Sequence, residues 1–363
     1  MFQNRRSPRR RQLHPSVDPL EGRALLNAAM PHHAPEHRVP AHVFDAKTHG
    51  SQPNTSSSNV TLLNAVNSHG YEFLNLDGPT PGTNAATGTN LNGISNGGTS
   101  VGFTIDNQMN LLNFTTNPLR SKTANVLNIN GSMKAMALGV NSAGTVVGTD
   151  GNGNAFSLSR RGVLKTFIPN GGMSATAFGI NDQGTIVGQY VTSTATPGFI
   201  QVNGKSSLTI NAPSGPNTVN PQGINNKGLV VGFYVGTDGQ FHGFDLNVKA
   251  ARNGVLTGTP VADPTIPTVA GEPGATFVFS QILGVNDKGI AVGYYGDSTL
   301  SQHGFLYNVK TKQYTFLDDP SEAFNNGVEV TQITGITNSG ELTGFYSDAN
   351  GVFHGFVAIP RRR

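Results

Sequence analysis

From residue 71 onward the hydrophobic residues stand in short alternating runs, and helical periodicity is nearly absent. Residues 175–180 and 185–190 show the period-two alternation of half-buried β-strands. Four kinds of strand, which we label a to d, recur in a fixed order, and strand c carries a Gly-Phe pair such as Gly243-Phe244. The pattern predicts an all-β protein of short strands and tight turns.

A ten-residue phrase joins strands a and b six times. Its first glycine precedes a β-branched residue and is Gly93, Gly139, Gly179, Gly223, Gly284 or Gly335. Its second glycine is predicted to close a hairpin turn at positive φ and is Gly98, Gly144, Gly184, Gly228, Gly289 or Gly340. Units repeated in this way bury their apolar faces only against one another, so the chain is an array.

The two ends of the array complement each other. Residues 71–76 look like a strand d with no preceding partner, and residues 355–359 look like a final strand c without its d. If the first strand completes the last sheet, six four-stranded blades close into a ring and leave no free sheet edge. The sequence therefore predicts a six-bladed β-propeller over residues 60–360. The alternative is an open β-solenoid, which would need capping ends.

The two ends of the chain differ in composition from the array. Residues 1–59, rich in Arg, His, Pro and Ser, are predicted to be a disordered leader and linker, and residues 361–363 form a basic tail. The net charge of +3 comes from these ends, because residues 51–360 hold 13 basic and 17 acidic groups. The net negative charge of residues 51–360 argues against a nucleic-acid partner. No apolar run is long enough for a membrane-spanning helix, and without cysteine there is no disulfide. We also expect a monomeric protein.

Strand a lines the central channel in a propeller, and here it has one polar face. Two residues before the first glycine the side chain is apolar in every copy, whereas three residues before it the side chain is mostly polar and uncharged. The channel residues are Asn90, Thr176, Asn220, Gln281 and Gln332, with Met136 in copy two. We predict that they either bind a ligand or line a column of ordered water. Strict alternation would also put the residue after the glycine on the polar face, so strand a requires a local bulge.

Residues 223–232 followed by His242-Gly243-Phe244 resemble the repeats of the bacterial extracellular His-Ala-Phe family. Copies containing His303 and His354 carry the same phrase, and the resemblance covers about residues 71–359. Residues 20–26, Leu-Glu-Gly-Arg-Ala-Leu-Leu, resemble an N-terminal export signature of planctomycete proteins, although Asn27 replaces the usual Ser. Both resemblances imply an extracellular or cell-surface location, and neither implies a reaction.

The candidate chemical motifs have simpler structural explanations. Gly93 to Gly97 spell the Gly-x-Ser-x-Gly of a hydrolase, but that motif needs a strand-to-helix turn and Ser95 is predicted in a hairpin. His242, His303 and His354 share one repeat position, and equivalent positions in a ring lie too far apart to bind one zinc ion. We predict that each imidazole bonds a neighbouring backbone group. The sequence predicts no cofactor and no metal.

Two functions remain open. The first is a binding or structural module for a neutral glycan or an extracellular protein, favoured because an uncharged channel offers no acid, base or nucleophile. The alternative is a secreted polysaccharide lyase or hydrolase that draws its carboxylates from the loop residues Asp263, Glu272, Asp318 and Asp319. The long connection at residues 247–276 would either cover one channel mouth or be a tolerated insertion.

Overall fold

The computed structural model describes residues 55–202, 204, 207–250, 255–267 and 274–361. Apart from two 3-10 turns, Pro169–Gly171 and Val248–Ala250, all of its regular elements are β-strands, which confirms the all-β class. In this part of the chain, no helix is long and apolar enough to cross a membrane. The predicted leader up to residue 54 and the last two residues of the basic tail lie outside the described residues.

Three strands at the start of the described chain precede the repeats: β1 Thr55–Asn59, β2 Thr61–Ser68 and β3 Tyr71–Asp77. Group 1 consists of β4 Gly88–Ile94, β5 Ser100–Ile105, β6 Leu111–Thr116 and β7 Thr123–Leu127. Group 2 consists of β8 Met136–Val140, β9 Val146–Thr149, β10 Ala155–Leu158 and β11 Leu164–Phe167. Group 3 consists of β12 Ser174–Ile180, β13 Thr185–Val191, β14 Gly198–Val202 and β15 Ser207–Asn211.

The second half of the chain continues the same order. Group 4 consists of β16 Val219–Ile224, β17 Leu229–Val235 and β18 Phe241–Asn247, followed by β19 Val255–Thr257 and β20 Thr259–Pro260. Group 5 consists of β21 Phe277–Val285, β22 Ile290–Asp297, β23 Gln302–Asn308 and β24 Gln313–Phe316. Group 6 consists of β25 Thr331–Ile336, β26 Leu342–Ser347 and β27 Phe353–Pro360. Successive strands a to d in each group pair antiparallel.

The N-terminal strands complete the two ends of the array. β3 pairs antiparallel with β27 of group 6, as the sequence predicts, and β2 pairs with β3. β1 pairs instead with β7 of group 1. The sequence analysis placed Thr55–Asn59 in the leader, whereas the structure places them in a sheet. One parallel bridge, between Phe353 and Gly88, also joins group 6 to group 1.

The a–b hairpin has the same construction in all six groups. Pairing shifts register by one residue immediately before the first glycine, for example between Ala177 and Gly179, so the predicted bulge in strand a is confirmed. The six second glycines have φ between 77° and 99°. In group 4, the Gly228 N–H donates to the Asn225 carbonyl oxygen and the Asn225 N–H donates to that of Leu229.

The core lies between neighbouring groups. A fully buried phenylalanine of strand c stands in each group, and these residues are Phe114, Phe156, Phe199, Phe244, Phe305 and Phe356. The apolar side chain of strand a packs onto the strand-c glycine of the preceding group, as Ile282 does on Gly243. Each group therefore buries its apolar surface with the help of its neighbour.

The long connection after group 4 supplies outer strands. β19 pairs parallel with β15, the fourth strand of group 3, and β20 pairs antiparallel with β18. Leu256 and Val261 are buried. The described part of residues 247–276 therefore extends group 3 and provides the fourth strand of group 4, which the sequence did not locate.

Candidate functional site

The first glycines bring the backbones of successive groups into close approach. A Cβ added to Gly179 would lie 2.6 Å from the Gln222 carbonyl oxygen and 3.2 Å from the Cα of Gly223. The same arrangement recurs from group to group, and a Cβ on Gly335 would lie 3.3 Å from the Cα of Gly93. The cavity that all six hairpin turns line holds only about 60 Å³, which is room for about two waters.

Hydrogen bonds link the hairpin turns of neighbouring groups in two ways. The first turn residue, Asn in groups 2 to 5, donates its Nδ2–H to a carbonyl oxygen of the next group's turn at 2.9–3.1 Å. The backbone N–H of the second turn residue donates to the side chain of the second residue in the next group's turn. Asp287 donates in this way to Asn338 Oδ1, and Asn338 to Asn96 Oδ1, each at 2.8 Å.

The seam between groups 1 and 2 lacks both links among the described residues. Its first turn residue in group 1 is Ser95, which has no amide to donate, and the second turn residue in group 2 is Ser142, whose side chain is short. The Asn96 side-chain amide donates instead to Asp182 Oδ2 in the turn of group 3, at 3.3 Å. Two serines therefore leave the turns of groups 1 and 2 unlinked.

A groove of about 570 Å³ opens at this seam, and we call it the seam groove. Amides and hydroxyls line it, among them Thr115, Asn117 and Asn125, together with the guanidinium-bearing Arg120 and Arg160. Asn117 donates its Nδ2–H to the Gly97 carbonyl oxygen at 3.0 Å, while its buried Oδ1 has no partner among the described residues. No carboxylate, imidazole or aromatic ring occurs among the described residues that line this groove.

The two arginines are held differently. The side chain of Arg160 packs over the turn of its own group, where a Cβ on Gly144 would lie 3.4 Å from its Cβ and Cδ atoms. Arg120 lies in the turn between β6 and β7, where its N–H donates to the Asn117 carbonyl oxygen at 2.9 Å. Both side chains are exposed, and neither forms an ion pair with a described residue.

The predicted channel residues occupy equivalent positions beside the bulge of strand a. Asn90, Asn220, Gln281 and Gln332 are buried and Thr176 is half-buried. The Tyr294 hydroxyl donates to Gln281 Oε1 at 2.9 Å, and Gln332 donates its Nε2–H to Gln302 Oε1 at 2.5 Å. None of the five lines the cavity at the turns or the seam groove. Ligand binding by these side chains stays a prediction.

The three repeated histidines lie against carboxylates rather than backbone groups, which corrects the predicted bonding. Their nearest ring nitrogen lies 2.8–3.1 Å from an aspartate oxygen in the pairs His242–Asp263, His303–Asp318 and His354–Asp77. A second aspartate lies 3.0–3.7 Å from the other nitrogen in the pairs His242–Asp238, His303–Asp297 and His354–Asp348. A tyrosine of strand b stacks on or tilts against each imidazole.

Burial and the flanking carboxylates have opposite effects on the pKa of His242 and His354. Desolvation, the largest single effect, lowers the pKa of His354, but the bonds and charges of Asp77 and Asp348 together raise it above its usual value. His242 behaves in the same way, with its pKa raised by Asp238 and Asp263 against the desolvation. His242 and His354 therefore stabilise the structure most when they are protonated.

A pocket of about 370 Å³ between groups 5 and 6 gathers four carboxylates, Asp318, Asp319, Glu322 and Glu329. Burial raises the pKa of Asp319 to about 6, with a smaller contribution from the charge of Asp318. Burial also raises the pKa of Glu322 to about 9, helped by the charges of Asp318 and Glu329. We call this the acidic pocket; it holds groups that can donate protons near neutral pH.

Ser95 and Asp263 line neither the seam groove nor the acidic pocket. Ser95 lies in a hairpin turn, where its N–H donates to the Thr99 carbonyl oxygen. Asp263 bonds His242 and also accepts a hydrogen bond from the Ser280 hydroxyl at 3.1 Å. Glu272 lies outside the described residues. Three or more histidine and carboxylate side chains arranged for a metal ion are not found in the described chain.

The sequence analysis missed Asn117, Arg120 and Arg160. None of the three stands at a position of the repeated phrase, so periodicity does not select them. One signal was available, because Ser95 stands in group 1 where groups 2 to 5 have Asn. That departure marks the seam where the groove opens.

Comparison with known proteins found solved structures that align at low sequence identity. No protein-family model and no curated protein matches the chain. The β-propeller domain of the Trilobed protease from Pyrococcus furiosus aligns at 8% identity over 85% of this chain and 96% of that one, with a TM-score of 0.44. A virginiamycin B lyase from Staphylococcus aureus aligns at 10% identity over 80% of this chain and 99% of that one, with a TM-score of 0.38.

Proposed function

We propose that this protein is a secreted or cell-surface recognition module built on a closed six-bladed β-propeller. Three contacts support closure: β3 pairs with β27, Phe353 bridges to Gly88, and Asn338 donates to Asn96. The resemblance to extracellular His-Ala-Phe repeats and to a planctomycete export signature supports the location. The ligand is an extracellular glycan or protein.

The seam groove is the observation that carries this proposal. Its volume of about 570 Å³ falls within the usual range of ligand pockets. Its described lining offers amides, hydroxyls and guanidiniums, which bind by hydrogen bonding and charge, and it contributes no carboxylate or imidazole for acid–base chemistry. The arrangement suits recognition better than turnover.

A side chain that fills the groove tests the proposal. Asn125 is an exposed residue of β7 that lines the groove, so Asn125→Tyr occupies the groove on a strand that tolerates aromatic residues. Thr166→Tyr, at an exposed position of β11 outside the groove lining, is the matched control. Both variants and the parent chain are applied to a glycan array and to immobilised cell-wall and surface proteins.

We expect the parent chain to bind a ligand, Asn125→Tyr to lose at least about tenfold in affinity, and Thr166→Tyr to keep it. A parent chain that retains none of these ligands would contradict the recognition proposal. A ligand lost equally in both variants would place binding away from the groove. Substituting Asn220, Gln281 and Gln332 by Ala in parallel tests whether the predicted channel residues take part.

The acidic pocket supports a second function, a secreted polysaccharide lyase or hydrolase. Glycoside hydrolases use a protonated carboxylic acid beside a carboxylate, and burial raises the pKa of Asp319 to about 6, which suits the acid. Asp318 and Asp319 were both predicted as candidates. If polysaccharide cleavage is detected, Asp319→Asn should abolish it while Asp263→Asn, outside this pocket, should not; equal loss in both would reject the assignment.

A further inference from the structure

We propose that the seam groove binds an anionic saccharide, whose carboxylate or sulfate groups are held by Arg120 and Arg160. This inference rests on the recognition function proposed above and names the chemistry of its ligand. The sequence analysis favoured a neutral ligand because the channel face is uncharged. The groove differs from that face, because it presents two guanidiniums.

Both guanidiniums are available to a ligand. Arg120 and Arg160 are exposed, and no carboxylate among the described residues lines the groove or pairs with them. A guanidinium binds a planar carboxylate or a sulfate through two parallel N–H donors, which gives direction as well as charge. Two of them facing one groove match a ligand that carries repeated negative groups.

The charge around the groove reinforces this preference. Residues 79–172, which contain groups 1 and 2, hold six basic and two acidic side chains. Residues 277–360, which contain groups 5 and 6, hold three basic and eight acidic ones. An anionic ligand is therefore drawn toward the groove side of the array and away from the acidic pocket.

The lining residues other than the two arginines favour a saccharide over a nucleic acid. The described lining contains no aromatic ring, so neither bases nor the apolar face of a neutral sugar finds a stacking surface. The side chains of Thr115, Asn117 and Asn125 instead offer donors and acceptors to hydroxyl groups.

The seam that lacks turn-to-turn links also has a cation packed beside it. Among the described residues, the seam with Ser95 and Ser142 is the one that lacks both kinds of turn-to-turn link. The residue that packs over the turn glycine is Arg160 in group 2, whereas Val248 takes that place in group 4 and Pro360 in group 6. Group 2 therefore places a cation beside the one seam that its turns leave open.

The test measures binding of defined oligosaccharides to the full chain by isothermal calorimetry. The probes are an oligogalacturonate, a sulfated oligosaccharide, a neutral oligosaccharide of equal length and an oligothymidylate. The variants are the double Arg120→Gln/Arg160→Gln and, as a matched control, Arg161→Gln, which removes an exposed charge next to Arg160 outside the groove lining. Thermal unfolding establishes that each variant is folded.

We expect one or both anionic saccharides to bind, the double variant to lose at least about tenfold in affinity, and Arg161→Gln to change it less than about threefold. The two anionic probes distinguish carboxylate from sulfate recognition. Three results would overturn the proposal: neither anionic saccharide binds, Arg161→Gln loses as much as the double variant, or the oligothymidylate binds as tightly as the saccharides.

The failure of this inference is distinguishable from failure of the recognition function. A neutral glycan or protein ligand that Asn125→Tyr abolishes but the double arginine variant retains would keep the groove as a recognition site and reject an anionic ligand. The absence of any ligand on the array would reject both.

Discussion

At the scale of single residues, two sets of glycines in one phrase are required for different reasons. The second glycines, such as Gly228 at φ 81°, adopt a backbone conformation that other residues reach at a cost. The first glycines, such as Gly179, are required by space, because the next group's backbone occupies the position of a side chain. The sequence predicted the first reason and not the second, since contact between groups is not encoded in the spacing.

Gly179→Ala should destabilise the protein by about 1–3 kcal/mol, because its Cβ would lie 2.6 Å from the Gln222 carbonyl oxygen and the backbone must shift. Gly97→Ala is the control, since its nearest neighbour would be the Ser95 hydroxyl at 3.8 Å. Neither glycine has a positive φ, so the comparison isolates packing. Urea unfolding measures both; equal free energies of unfolding would remove the close-packing argument.

The carboxylate-flanked histidines predict a pH dependence of stability. The pKa of His354 is raised in the folded state, so its stabilising contribution is complete below the unfolded value of about 6.5 and is lost as the pH rises through the higher folded pKa. The difference in unfolding free energy between the parent and His354→Gln should therefore be larger at about pH 6 than at about pH 8.

The control for this measurement is His69→Gln, because the His69 side chain is exposed. Asp77, Asp348 and Tyr346 face His354 and are present in both parent and variant, so the difference measures the imidazole together with its coupling to these three groups. A difference that stays constant across this pH range, or that grows with pH, would contradict a raised pKa for His354.

At the scale of elements, the sequence predicted β3 but not β1 and β2. Residues 71–77 alternate and match the other fourth strands, whereas β1 is a Thr-Ser-Ser-Ser-Asn run and β2 has little buried surface. Edge pairing through backbone hydrogen bonds holds such strands, and that needs no apolar pattern. The histidine–aspartate pairs were also not predictable from the sequence. Asp263 and Asp318 follow their histidines by 21 and 15 residues, whereas Asp77 precedes its histidine by 277. These pairs therefore have no fixed spacing that a sequence pattern could reveal.

Successive N-terminal truncations should separate the roles of these strands. A chain starting at residue 60 loses only the edge strand β1, and we expect a small decrease in thermal stability relative to a chain starting at residue 55. A chain starting at residue 78 loses β3 and with it Phe73, whose ring centroid lies 5.3 Å from that of Phe356. Losing this buried ring alone costs about 3–5 kcal/mol, and β27 is left as a free edge.

Thermal unfolding and size-exclusion chromatography check both truncations. The chain starting at residue 78 should unfold at a much lower temperature or aggregate, because β27 loses its outer partner. A chain starting at residue 78 that stays monomeric and as stable as the one starting at residue 55 would show that β3 does not hold the last group.

At the scale of the whole molecule, a ring and an open array predict very different distances between group 1 and group 6. Sheets packed face to face lie about 10 Å apart, so groups 1 and 6 of an open array would be about 50 Å apart. In a ring they are neighbours, and the Asn338 N–H lies 2.8 Å from Asn96 Oδ1. A measurement of proximity at the seam between groups 6 and 1 therefore tests closure.

Because the chain contains no cysteine, a pair introduced as Asn96→Cys and Asn338→Cys can be cross-linked without interference. We expect a short bis-maleimide of about 10 Å, the spacing between packed sheets, to join the pair within one chain. The yield should be similar to that of Asn226→Cys/Asp287→Cys, which lies between adjacent groups in either architecture. Single-cysteine variants control for links between molecules. Intact-mass measurement decides, because an open solenoid would cross-link the second pair alone and would thereby reject the closed propeller.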